Sequence, residues 1–143
     1  MSLFTASLNS GSNGNCYYVG NAQEAVLIDA GLSCRETEKR LARLGLSMKP
    51  VKAIFISHEH SDHIRGVEVL SKKFKIPVYI TELTMRSGGL SIQEELVNTF
   101  KSHETISIGN LRIIPFPKRH DASDPFSFVV KSSEVCVGVM TDI

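Results

Sequence analysis

Three of the five histidines in this 143-residue chain fall within the six residues "HEHSDH". His58, His60 and His63 share that stretch with Asp62. Three imidazoles crowded into one polar turn serve no packing purpose, whereas imidazole with carboxylate suits zinc, iron or manganese. In extended backbone His58 and His60 project to the same side. The chain then has to curl and aim Asp62 and His63 elsewhere, so one ion could take the first pair and a second ion the other. Two divalent ions ~3.5–4 Å apart generate hydroxide at neutral pH and hold developing negative charge, which is hydrolytic chemistry.

The cluster follows "VKAIFIS", a continuous apolar run of strand type that reads as buried on both faces. After it, "IRGVEVLSKKF" places Val67, Leu70 and Phe74 at amphipathic-helix spacing. Upstream, "LFTASLN" and "CYYVG" read as short strands around the turn-rich "SGSNGN", and "EAVLIDAG" as a strand ending near Asp29 and Gly31. "SCRETEKRLARLG" has a capping box in Ser33 and Glu36 and a stop at Gly45, so it reads as a helix. Downstream, "IPVYIT" reads as a strand and "TELTMRSGGLSIQEELVNTF" as a helix broken by Gly88 and Gly89. "ETISIGNLRIIPFPKRH" and "PFSFVVKSSEVCVGVMTD" are expected hairpins, turning at Gly109-Asn110 and Ser132-Ser133. Strands interleaved with helices predict an α/β layered domain.

Composition narrows the function by exclusion. A hydrophobic share of 42% and a charged share of 22% are ordinary for a globular chain. A formal net charge of +1 announces no bulk attraction to nucleic acid or anionic membrane, although a local groove can still be basic. No apolar run approaches the ~18–20 residues needed to cross a bilayer. The N-terminal "MSLFTASLNSGSNGN" has no signal-peptide pattern, so no membrane partner and a cytoplasmic location are expected. Cys16, Cys34 and Cys136 are odd in number and far apart, which argues for reduced thiols.

His-x-His-x-Asp-His directly after an apolar strand resembles the signature of the metallo-β-lactamase fold superfamily. Asp29 in "LIDAG" matches the family's first motif, an aspartate that braces the metal loop. His120 in "FPKRHDASDPFSF" matches its third motif, and Asp142 in "GVMTD" its fourth, the bridging carboxylate. The resemblance implies one ion held by His58, His60 and His120 with Asp142 shared. It implies a second held by Asp62, His63 and Asp142, plus a fifth-motif histidine that has no counterpart here. The implied fold is an αβ/βα sandwich, of which residues 1–143 would form the N-terminal half, a mixed sheet with flanking helices. An uncovered strand edge in such a half makes self-association an expectation.

"SGSNGNCYYVG", "GLSCRETEKRL" and "HDASDPFSF" further resemble the YycJ-like (WalJ-like) branch of bacterial metallo-hydrolases. That implies a nuclease or exonuclease acting on phosphodiesters of DNA, or of RNA, with zinc ahead of manganese or iron as the cofactor. Asp62 would both bind metal and orient the nucleophile. Lys118 and Arg119, beside His120, could lead a phosphate backbone toward the metals. Asn13 and Asn15 either reach the site or satisfy turn geometry. His103, with no motif around it, is expected in solvent, as are Lys72, Lys73 and Lys75. Two other functions fit the same motif: a thioester or lactone hydrolase of the glyoxalase II type, and a metal-binding module without turnover.

Overall fold

The computed structural model describes residues 3–133 and 135–140, so Asp142 lies outside the described residues. The strands β1 (Phe4–Asn9), β2 (Cys16–Gly20) and β3 (Ala25–Ile28) run antiparallel in turn. Helix α1 (Cys34–Arg43) carries the chain to β4 (Val51–Phe55), parallel to β3. The short α2 (Ser61–Ile64) and α3 (Val67–Phe74) lead to β5 (Val78–Tyr79). Helix α4 (Glu82–Ser87) and a 3₁₀ turn at Glu94–Leu96 lead to β6 (Val97–Asn98). Both β5 and β6 add in parallel, which completes one mixed sheet in the order β1-β2-β3-β4-β5-β6. A second, antiparallel sheet follows from β7 (Ile106–Ile108), β8 (Leu111–Pro117), β9 (Phe126–Lys131) and β10 (Cys136–Val139).

Alternation along β3 explains the layering. Ala25 and Leu27 pack with Leu41 of α1 and Leu70 of α3, whereas Val26 and Ile28 turn the other way, toward Phe55, Ile113 and Phe128. The mixed sheet therefore has helices on one face and the antiparallel sheet on the other. Strands covered on both faces are apolar at nearly every position, which is why "VLI" and "AIF" read as unbroken runs. Between the sheets, Phe55 meets Phe128 edge-on at 5.5 Å and stacks on Tyr79 at 4.6 Å between ring centroids. Phe55 and Phe128, both fully buried, each contribute about 1.5–3 kcal/mol relative to exposure. Strand β8 keeps Leu111 and Ile113 inside and Arg112 outside, the pattern of a sheet with one buried face.

Helix α1 forms where its sequence places it, with the serine half of the expected capping box. Ser33 Oγ accepts the Glu36 amide at 3.1 Å, while the Glu36 carboxylate turns to Arg40 at 2.8 Å. Its far end closes with Gly45 at φ +73°, the Gly45 amide donating to Ala42 and the Leu46 amide to Leu41. These are the two bonds of a Schellman cap, which needs a residue at ease with left-handed φ. The helix expected over 81–100 breaks at Gly88 and Gly89 as expected, but its second part is corrected. Glu82–Ser87 is α-helical, and beyond the break there is only the 3₁₀ turn at Glu94–Leu96 before β6. Gly88 ends the helix, Gly89 turns away at φ +62°, and Val97–Asn98 leave helical geometry to pair with Val78 and Tyr79. Among the described residues no helix is long and apolar enough to cross a membrane.

Candidate metal centre

The centre forms where β4 leaves the sheet. Its continuation carries Ser57 and His58 into the interior, and both are essentially without solvent exposure. His60 then caps α2, whose first turn holds Asp62 and His63. Ligand nitrogens of His58, His60 and His120 all lie within 4.8 Å of one another. His60 Nδ1 is 3.3 Å from His120 Nε2, and the His58 ring centre is 4.5 Å from that of His120. His120 reaches this point from the β8–β9 loop, 57 residues beyond His63 (120 − 63). Asp62 and His63 form the adjacent pair, with Asp62 Oδ2 3.5 Å from His63 Nε2.

Proton bookkeeping orients the rings. Asp29 Oδ1 accepts the Ser57 amide at 2.7 Å, and Oδ2 accepts the Ser57 hydroxyl at 2.8 Å. The hydroxyl proton is thereby committed, so Ser57 Oγ, 2.9 Å from His58 Nδ1, acts there as the acceptor. Asp29 Oδ2 also receives His63 Nδ1 at 2.6 Å. Both imidazoles thus carry hydrogen on Nδ1 and present the Nε2 lone pair, the form a metal ligand needs. Asp29 holds this position at φ +65°, a conformation that costs a typical residue about 1–2 kcal/mol and aspartate less.

Burial pushes the His58 pKa down to about 3, with His63, Lys118, His120 and His60 adding repulsion against a proton. His58 is therefore neutral at pH 7, and the Lys118 ammonium is close enough to act on it. Glu59, between the two motif histidines, accepts the Ser123 amide and hydroxyl, each at 3.0 Å through Oε2. Desolvation raises the Glu59 carboxyl, but those bonds and His60 outweigh it and leave the pKa below the ordinary value.

Asn15 reaches the centre. Its amide nitrogen donates to Asp62 Oδ2 at 3.0 Å and sits 3.2 Å from His63 Nε2, while its backbone amide donates to the Asp62 carbonyl at 2.6 Å. Asn13 is exposed, and its carbonyl accepts from Arg65. Gly31 completes the "LIDAG" turn against α2, where a Cβ would overlap the Asp62 carbonyl oxygen. His103 is exposed, as are Lys72, Lys73 and Lys75, and Arg119 also faces solvent. Sequence reasoning assigned no role to Ser57 or Glu59. The available signal was their place beside the histidines at the end of a buried strand. Asp142 lies outside the described residues.

The donor set suits a divalent ion: three converging imidazoles, with a carboxylate and a fourth imidazole alongside. A model of the metallo-beta-lactamase superfamily matches residues 10–137. The chain is 33% identical over 147 residues to exodeoxyribonuclease YycJ of Bacillus anthracis, covering 99% of this chain and 55% of that protein. It is 32% identical over 140 residues to exodeoxyribonuclease WalJ of Streptococcus pneumoniae serotype 2, strain D39, covering 94% of this chain and 52% of that protein. It thus spans about half the length of the curated relatives it matches. Among solved structures, the fold matches the metallo-beta-lactamase fold protein YhfI of Bacillus subtilis with TM-score 0.76 at 13% identity, covering 96% of this chain and 62% of that one. The subclass B3 metallo-beta-lactamase MEM-A1, from a soil metagenome library, matches with TM-score 0.73 at 18% identity, covering 96% and 61%. Divalent-metal binding is the property that this superfamily and the histidine cluster have in common. With the motif, the layered fold and the match over residues 10–137 in agreement, the chain belongs to the metallo-β-lactamase superfamily of hydrolases.

Proposed function

We propose that this chain carries the metal centre of a nuclease that hydrolyses phosphodiesters of DNA, in preference to RNA. The observation that carries the reading is the convergence of His58, His60 and His120 beside the Asp62–His63 pair, with the Lys118 ammonium close by. His58, His60 and His120 would hold one divalent ion, and Asp62 and His63 a second, with Asp142 shared. Zinc ranks ahead of manganese or iron for so histidine-rich a set. Such ions, when bound, activate water at neutral pH and stabilise charge on the group attacked.

The protein's own side chains do the positioning. Ser57 and Asp29 hold His58 and His63 in one tautomer each. Asn15 holds the Asp62 carboxylate toward His63, where Asp62 would orient the attacking water. Lys118 and Arg119 would attract the polyanionic backbone to the mouth of the site. Similarity to two proteins named exodeoxyribonucleases supports DNA as the polymer. Three free cysteines fit a reducing, cytoplasmic setting.

The test is a substrate panel of DNA, RNA and a thioester on the full-length protein, with metal content measured by mass spectrometry. Cleavage of DNA that disappears in the double variant His58→Ala, His60→Ala, together with loss of bound metal, is the expected result. Rapid thioester hydrolysis with both nucleic acids left intact overturns the nuclease reading, and unchanged metal content in the double variant overturns the ligand assignment.

A further inference from the structure

We infer that Glu59, the unassigned residue between His58 and His60, is the grip that holds His120 in the metal site. This rests on reading His58, His60 and His120 as ligands of one ion. Two of those ligands belong to the β4–α2 turn, and the third arrives on a separate loop, residues 118–125, between β8 and β9. The loop is closed at its neck by the Lys118 amide on the Pro125 carbonyl at 3.1 Å and by the Phe126 amide on the Ser57 carbonyl at 2.9 Å. At its tip Glu59 ties it, beside a longer bond from Thr84 Oγ1 to the Asp124 carbonyl at 3.5 Å. The Glu59 carboxylate takes the Ser123 amide at 3.0 Å through Oε2 and at 3.3 Å through Oε1, and the Ser123 hydroxyl at 3.0 Å through Oε2.

The hydroxyl chain has one consistent direction. A carboxylate only accepts, so the Ser123 proton goes to Glu59. Ser87 Oγ, 2.6 Å from Ser123 Oγ, must then be the donor to it. Ser87 is the last residue of α4, so Glu59 collects the histidine turn, the His120 loop and the end of α4 into one unit. Close approach on the other side supports this: a Cβ on Gly88 would lie 3.4 Å from Glu59 Cβ and 3.0 Å from Ile64 Cδ1. From Ser123 the chain returns to His120 through a single turn, in which the Ala122 amide donates to the His120 carbonyl at 2.9 Å. A ligand on an exposed loop keeps its own freedom, and ordering it before the ion arrives raises affinity. Glu59 is therefore a positioning residue that acts through Ser123 on His120.

The experiment is zinc affinity by chelator competition on the full-length protein and on Glu59→Ala, Glu59→Gln, Ser123→Ala and His120→Ala. The cobalt(II) absorption of each loaded protein and the melting temperature of each metal-free protein are recorded alongside. The expected result is a loss of about 10–100-fold in Glu59→Ala, the usual cost of removing a partner behind a ligand. The cobalt spectrum of Glu59→Ala should change, with little change in melting temperature. Glu59→Gln, whose amide oxygen can replace Oε2, should recover most of the affinity, and Ser123→Ala should fall between. Wild-type affinity with an unaltered cobalt spectrum in Glu59→Ala overturns the inference. Equal weakness of Glu59→Gln and Glu59→Ala also overturns it, because charge and not grip would then be the cause. If Glu59→Ala does not fold, Glu59→Asp decides: its shorter carboxylate keeps the charge but falls short of the Ser123 amide and hydroxyl, and wild-type affinity there overturns the grip. Unchanged affinity in His120→Ala removes the ligand reading itself, whatever Glu59 does.

Discussion

Asp29 Oδ2 and His63 Nδ1 lie 2.6 Å apart, and neither side chain is exposed to solvent. They sit 34 residues apart in sequence, joined by the turn after β3 and the first turn of α2. The same carboxylate also receives the amide and hydroxyl of Ser57. One buried acid thus fixes two imidazoles, His63 directly and His58 through Ser57. Asp29→Asn should disturb both, because an amide NH₂ in place of one oxygen would face a donor. Metal affinity is expected to fall by about 10–100-fold. Stability should fall by about 1–3 kcal/mol for the lost charge-assisted bonds. Zinc titration and thermal melting of the full-length protein measure the two effects separately.

Gly31→Ala tests the docking of the two turns. The Gly31 amide donates to the Asn15 carbonyl at 2.9 Å, and the Asn15 amide donates to the Asp62 carbonyl at 2.6 Å. A methyl group at Gly31 overlaps that same Asp62 oxygen, so the backbone of α2 must move. Overpacking of this kind costs about 1–3 kcal/mol. Displacement of Asp62 should weaken the second ligand pair more than the His58–His60–His120 set. Metal stoichiometry at limiting zinc, with a denaturant midpoint alongside, checks both parts.

The readable part of the centre was contiguous. His58, His60, Asp62 and His63 announce themselves because one turn holds them all, and Asp29 and His120 became readable only through family resemblance. Ser57 and Glu59 were not, since their partners lie 28 and 64 residues away and only folding brings them together. The layered α/β fold followed from strand and helix periodicities, and the apolar central strands correctly implied cover on both faces. In residues 81–100 the break at Gly88 and Gly89 was legible, but the stretch after it was expected to be helix, whereas Val97 and Asn98 close the sheet edge beside β5. Pairing between distant strands is invisible to local pattern.

Thiol reactivity should separate the cysteines by burial. Cys16 lies in β2 with no solvent exposure, and burial, then Asp29, pushes its thiol far above the ordinary range. Cys34 is 8% exposed, and desolvation followed by Glu38 raises its pKa as well. Cys136 is exposed on β10. Because the thiolate is the nucleophile, an alkylating reagent at pH 8 should label Cys136 first and Cys16 only after denaturation. Peptide mass mapping of the native, full-length protein over time reads the order. Rapid native labelling of Cys16 would show that the β2–β3 layer opens readily.

Lys118 and Arg119 carry the prediction that bears on the substrate. They stand at the start of the loop that delivers His120, with Arg119 exposed and Lys118 half-buried. A phosphodiester backbone approaching the histidine cluster would meet these charges first. If each neutralises one phosphate, Lys118→Gln and Arg119→Gln should each lower the salt slope of DNA binding by about one. The loss should be nearly uniform across DNA sequences, since phosphate contacts carry no base information. Neither substitution should protonate His58 at pH 7, because burial is the main cause that pushes its pKa down to about 3 and the Lys118 charge only adds to it. Both variants are therefore expected to raise KM with little change in kcat. Salt-dependent binding isotherms, with kinetics on the same oligonucleotide, measure the two effects. Unchanged salt slopes in both variants would place the path of the nucleic acid elsewhere on the protein.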